Sequence, residues 1–130
     1  MDSTVYKEDK VLAVDFDGTI VNWSGSITPL GSPTDGVVDA LKAFKLLGFK
    51  ILIYSCRNNI TFSGESYIAM KQYLDDNQIP YDEIDDGKNG KPVATYYIDD
   101  RAIRFDNNWL EILTFICKRE LRSDDQKNNK

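Results

Sequence analysis

The sequence predicts one small α/β domain, a mostly parallel sheet flanked by helices. Short apolar runs alternate with stretches of helical periodicity, the order expected of parallel strands joined by crossover helices. Those runs are apolar throughout, as in strands covered on both faces. The 130 residues suffice for one core but not for two. The domain is expected over residues 1–122. The polar stretch 123–130 is expected to be a disordered tail.

Residues 11–14 (Val-Leu-Ala-Val) form the first apolar run, followed by a polar loop from Asp17 to about Gly31. Ser32-Pro33-Thr34-Asp35 then reads as a helix start: serine caps, proline suits the first helical position, and the acid favours the first turn. Val37, Leu41 and Phe44 follow at helical spacing, and Gly48 is the stop. Residues 51–54 (Ile-Leu-Ile-Tyr) are a second strand. A helix is expected from about Ser63 to Asn77, with Tyr67, Met70 and Leu74 on one face and Pro80 beyond its end.

A short strand is expected at 81–84. Asp86-Gly87 and Asn89-Gly90 mark a tight loop or small hairpin after it. Residues 95–98 (Thr-Tyr-Tyr-Ile) are the next strand, and 102–105 are a candidate for another. The last helix should begin near Asp106 or Asn108 and bury Trp109, Ile112, Leu113, Ile116 and Cys117.

Composition narrows the function. Apolar residues are 42% and charged residues 28%, the balance of a folded globular chain rather than a disordered one. The net charge of −5 offers no overall basic field, so nucleic acid is not favoured as a partner. The apolar runs are far too short to span a bilayer, and residues 1–10 carry no apolar signal core. Two cysteines, Cys56 and Cys117, make no disulfide framework, so a reducing cytoplasmic setting is expected. Asn22-Trp23-Ser24 and Asn59-Ile60-Thr61 fit the glycosylation pattern but carry no weight without a secretion signal. The chain has no histidine, which excludes serine–histidine–aspartate triads and histidine-bound zinc.

In a parallel sheet, sites form outside the carboxyl ends of the strands. The first strand ends in Asp15-Phe16-Asp17-Gly18-Thr19, the second in Ser55-Cys56-Arg57, and the strand at 95–98 in Asp99-Asp100. Clustered carboxylates repel one another unless a cation or a shared proton compensates. Oxygen-only ligands suit magnesium, which keeps waters and takes substrate phosphate as well. Asp15 and Asp17, two residues apart, would point to one side of an extended segment, one to attack and the other to handle protons. Gly18 lets the backbone turn sharply beside a phosphate.

Asp15-Phe16-Asp17-Gly18-Thr19 resembles the first motif of the haloacid dehalogenase-like superfamily. Ser55 at a strand end resembles the second motif and Asp99-Asp100 the fourth. The third, a lysine between them, falls to Lys91 or Lys88, with Lys91 preferred because Pro92 anchors it at the segment leading into the strand. The resemblance implies a Rossmann-like fold and a magnesium-dependent phosphomonoester hydrolase. Asp15 would be the nucleophile that forms an aspartyl-phosphate, and Asp17 the acid–base. Ser55, Cys56, Lys91, Gly18 and Thr19 would hold the phosphoryl group. Magnesium would be held by Asp15, by Asp17 through its main-chain carbonyl, and by Asp99 and Asp100. Relatives that dehalogenate carbon substrates lack the second aspartate, so Asp17 speaks for phosphate chemistry.

Only the segment 20–33 separates the first motif from the first helix, and one helix and a short strand lie between Ser55 and Lys91. No cap domain fits in either place. The open site suits a phosphorylated substrate (a sugar phosphate, a nucleotide or something larger) or closure by another subunit. Trp23 is placed to line its entrance. A cysteine phosphatase would need arginine at position 62, where the chain has Phe62. Arg57 reaches either a substrate phosphate or a surface acid, and Arg101 and Arg104 read as surface residues. The alternative class is a receiver-like module that accepts phosphate without turnover. Its acceptor aspartate follows a middle strand, where this chain has Ser55.

Overall fold

A computed structural model describes residues 10–58, 64–88 and 90–128. The chain divides into two compact units, Met1–Asp100 and Arg101–Lys130.

The first unit is a four-stranded, all-parallel sheet. Its strands are β1 (Val11–Asp15), β2 (Lys50–Tyr54), β3 (Glu83–Ile84) and β4 (Tyr96–Ile98), in the order β3-β2-β1-β4. In β1 and β2 the apolar runs lie in the core: Leu12, Ala13, Val14, Ile51, Leu52 and Ile53 are all buried. Each large aliphatic side chain so placed contributes about 1.5–3 kcal/mol relative to an exposed one. β4 is an edge strand and its Tyr96, Tyr97 and Ile98 are exposed. From β1 the chain moves outward to β2 and β3, then returns to the opposite side of β1 for β4. The direction of winding therefore reverses between β1 and β4, and a crevice opens at the carboxyl ends of strands at such a reversal.

The first helix, α1 (Val37–Leu46), starts later than the Ser32-Pro33 signal suggested. Those residues are used otherwise: Pro33 bridges to Val21, and the Thr34 hydroxyl donates to the carbonyls of Thr19 and Ile20. Gly36, in the left-handed region at φ 78°, is the N-cap, and no side chain caps the helix. Its end matches expectation. Gly48, at φ 94°, turns the chain back, and the Phe49 N–H bonds to the Phe44 carbonyl. α2 (Gly64–Asp76) buries Ser66, Met70 and Leu74, one stripe at four-residue spacing, with Tyr67 half-buried beside it. Ser63, the expected start, lies outside the described residues, as do Phe62, the Asn59-Ile60-Thr61 pattern and Asn89 of the second turn. Neither connection out of β1 or β2 holds an added domain among the described residues.

In the second unit the candidate strand at 102–105 does not form. α3 (Trp109–Asn128) follows Asn108, whose carbonyl accepts from the Ile112 N–H and whose side-chain oxygen accepts from the Asp106 N–H. The expected burial of this helix is corrected. Trp109, Leu113, Ile116 and Cys117 are exposed and Ile112 is half-buried, because one helix and a short lead-in hold no second layer within their own unit. The helix also continues past Leu121 to Asn128, where a tail was expected. Lysine, arginine and glutamine are good helix formers, so polarity alone does not end it. Residues 129–130 lie outside the described residues. No helix among the described residues is long and apolar enough to cross a membrane.

Candidate active site

Three carboxylates meet at the point where the winding reverses. Oxygen atoms of Asp15, Asp99 and Asp100 all lie within 4.8 Å of one another. Asp15 closes β1, and Asp99 and Asp100 directly follow β4, so the pairing of two adjacent parallel strands sets their approach. Burial, the neighbouring Asp99 charge and a hydrogen bond with Asp100 push the Asp15 carboxyl up to about 7. The donor set is all oxygen, with no nitrogen or sulfur. That chemistry fits magnesium, a hard ion that would relieve the mutual repulsion of the three groups.

Asp17 is held elsewhere. Its two oxygens accept from Arg57, Nε at 2.8 Å and Nη2 at 2.7 Å, in a bidentate pair. The expectation that Asp15 and Asp17 share one side needed an extended backbone through both, but β1 ends at Asp15. The N–H groups of Ile20 and Val21 fold back onto the Phe16 carbonyl, and Gly18 sits at φ 80°. Phe16, between the two aspartates, is fully buried and meets Tyr73 edge-on at 5.7 Å. Gly18 has a second constraint: a Cβ there would lie 2.4 Å from Asp100 Oδ2. Thr19 is half-buried, and its side-chain oxygen is buried without a hydrogen-bond partner among the described residues.

Ser55 follows β2, and its Oγ accepts the Arg57 N–H at 3.1 Å. Ser55, Cys56, Lys88 and Lys91 line a cleft of about 730 Å³, the size of a small-ligand site. The cleft contains both candidate lysines. Lys91 Nζ lies 4.3 Å from the centre of the Tyr97 ring, and the Tyr97 hydroxyl donates to the Pro92 carbonyl, so Tyr97 anchors the segment carrying Lys91. Lys88 follows a turn in which its N–H donates to Asp86. Asp85 and Asp86 are both in such turns, as acids near glycine commonly are.

Tyr54 was not singled out from the sequence, which leaves Arg57 between a substrate phosphate and a surface acid. Tyr54 lines the cleft, and its hydroxyl donates to Asp99 Oδ2 at 2.8 Å, so it joins the cleft to the carboxylate cluster. Burial and that hydrogen bond raise the Tyr54 phenol well above its ordinary value. Arg57 is only 2% exposed, and its partner is Asp17 rather than a surface acid. For Tyr54 the available signal was position alone, since it closes a strand at the site-forming edge.

No protein-family model matches the chain, and no curated protein is similar to it. Among solved structures, the chain is similar to a conserved protein from Bacteroides thetaiotaomicron, at 20% identity and a TM-score of 0.56, over 85% of this chain and 92% of the other. That likeness shows the fold, a Rossmann-like α/β arrangement. A structural-genomics target from Vibrio cholerae is 34% identical over 73% of this chain and 83% of its own, with a TM-score of 0.49.

Proposed function

We propose that this chain is a magnesium-dependent phosphomonoester hydrolase of the haloacid dehalogenase-like type, working in the cytoplasm through a phosphoryl group carried on Asp15. The observation that carries the reading is the meeting of Asp15, Asp99 and Asp100 oxygens within 4.8 Å, at the reversal between β1 and β4. Bound there by the three carboxylates and the Asp17 main-chain carbonyl, magnesium would supply positive charge against the phosphoryl oxygens.

The chain's own groups divide the work. The Asp15 carboxylate attacks phosphorus, and the ester P–O bond breaks with its electron pair on the leaving oxygen, which takes a proton from the Asp17 carboxyl. Water then attacks the phosphoryl group, gives one proton to the Asp17 carboxylate, and releases phosphate while Asp15 is regenerated. Ser55, Lys91 and the turn at Gly18 and Thr19 hold the transferred group, and the cleft beside Tyr54 takes the rest of the substrate. Its volume suits a sugar phosphate or nucleotide, and its open side admits something larger.

Release of phosphate from an aryl phosphate tests the reading. Activity is expected with magnesium, none after chelation, and none in Asp15→Asn. Near-normal turnover in Asp15→Asn would overturn it, and stable phosphorylation without turnover would indicate a receiver-like module instead.

A further inference from the structure

We infer that Arg57 is a positioning residue that holds the Asp17 carboxylate in place as the base for hydrolysis of the phosphoryl–Asp15 intermediate. The inference rests on the hydrolase reading and adds to it a residue which the motifs do not contain.

Arg57 reaches Asp17 through two nitrogens, at 2.8 and 2.7 Å, and Nη2 also donates to the Ile27 carbonyl at 3.0 Å. Its guanidinium faces the buried Phe16 ring at 5.4 Å, and its N–H is taken by Ser55 Oγ. The fork is therefore fixed from several directions, by the turn after β2, by the loop carrying Ile27 and by Phe16. A carboxylate accepting from two N–H groups of one planar fork has a defined orientation, which a lone lysine charge would not impose.

Stability does not account for this arrangement. Burying a guanidinium costs several kcal/mol on the order of magnitude known for buried ions, and an apolar side chain of similar volume is commonly as stable or more so. Arg57 Nη1 adds to that cost, being buried with no hydrogen-bond partner among the described residues. A costly, oriented ion pair two residues along the chain from Asp15 makes sense where the orientation of Asp17 matters. A carboxylate gripped through both oxygens presents its remaining lone pairs in one direction, which is what taking a proton from an attacking water requires. The second half of the reaction is therefore the step that depends on Arg57.

An aryl phosphate with a good leaving group separates the steps, because its phenolate departs without a proton. In Arg57→Lys and Arg57→Gln, steady-state turnover is expected to fall about ten- to a hundredfold, a part of the roughly 10²–10⁴ that a positioned proton-transfer group contributes. Phenol release should then show a burst equal to the folded enzyme, and the intact mass of enzyme quenched during turnover should carry one added phosphoryl group. Asp17→Asn should show the same burst, and adding Arg57→Gln to it should cost nothing further. A fall in turnover without phosphoenzyme, unchanged turnover, or additive losses in the double variant would overturn the assignment. Failure of both Arg57 variants to fold would assign the pair to structure and overturn it too. A wild-type chain inert with magnesium would withdraw the hydrolase reading itself, and this assignment with it.

Discussion

The Tyr54 hydroxyl donates to Asp99 Oδ2 at 2.8 Å, reaching from the end of β2 past the central strand β1 to the end of β4. One hydrogen bond thus ties the two strands flanking the one that ends in Asp15 and orients one carboxylate of the cluster. The Tyr54 ring also meets Tyr97 edge-on at 6.4 Å, and Tyr97 lies under Lys91. Orientation of the acids and placement of the cleft lysine therefore share one aromatic support.

Tyr54→Phe keeps that ring and removes only the hydroxyl. Partners that orient a metal ligand are typically worth about 10–100-fold in metal affinity or activity. Magnesium binding measured by calorimetry should weaken within that range, with thermal stability little changed. Unaltered magnesium affinity would take Tyr54 out of the site.

Gly18→Ala should damage the same cluster from another direction. The added Cβ would lie 2.4 Å from Asp100 Oδ2, at a φ of 80° that side chains rarely adopt. Asp100 must then move, and magnesium affinity and turnover should both fall. The conformational strain alone should lower stability by about 1 kcal/mol. Wild-type affinity in the folded variant would show that Asp100 is not needed where it stands.

The metal-free protein should reveal the crowding of acids through its pH dependence. The Asp15 carboxyl stands at about 7 when folded, against an ordinary 3.8. Between these values the folded chain holds a proton that the unfolded chain has released. The Asp15 contribution to stability is therefore present at low pH and lost as pH rises toward 7. Asp15→Asn should melt above wild type in chelator at pH 7.5, and the gap should close as pH falls toward 4. A gap independent of pH would contradict the raised carboxyl.

Asp82 has the opposite dependence. Burial works against its charge, but the Ile51 N–H at 2.7 Å and Lys45 at 2.8 Å outweigh it and hold the carboxyl below its ordinary value. Its contribution is present above about pH 4 and lost as pH falls through the lowered folded value. Asp82→Ala should cost about 1.5 kcal/mol at pH 7, the low end for hydrogen bonds to charged groups because the pair is partly exposed. Denaturant unfolding at pH 7 and pH 2.5 would measure it, and the cost should shrink at the lower pH.

Much of this was written locally. The runs 11–14 and 51–54 are apolar and short and became β1 and β2 within a residue at each end, because a buried strand needs only such a run. The run 95–98 instead became β4 as an exposed edge strand, through its aromatic and β-branched residues. Gly48 ended α1 through a backbone conformation that glycine adopts freely. The acids that close β1 and follow β4 were legible for the same reason, since their place depends on where an apolar run stops.

The partners of those residues were not legible, and only the tertiary structure decided them. Asp15 and Asp17 are two residues apart, yet Asp15 joins Asp99 and Asp100 while Asp17 is taken by Arg57. Strand order makes the first association, by setting β4 beside β1, and a turn at Phe16–Gly18 breaks the alternation that would have kept the pair together. Pro33 likewise carried a helix signal but was drawn into a bridge with Val21. The apolar stripe of α3 reads as a core face, but burial needs a second layer, and its own unit provides none. Residue type and local spacing determined which groups could do chemistry. Contacts between segments distant in sequence decided which of them meet, because hydrogen bonds and ion pairs depend on distances that only the folded chain sets.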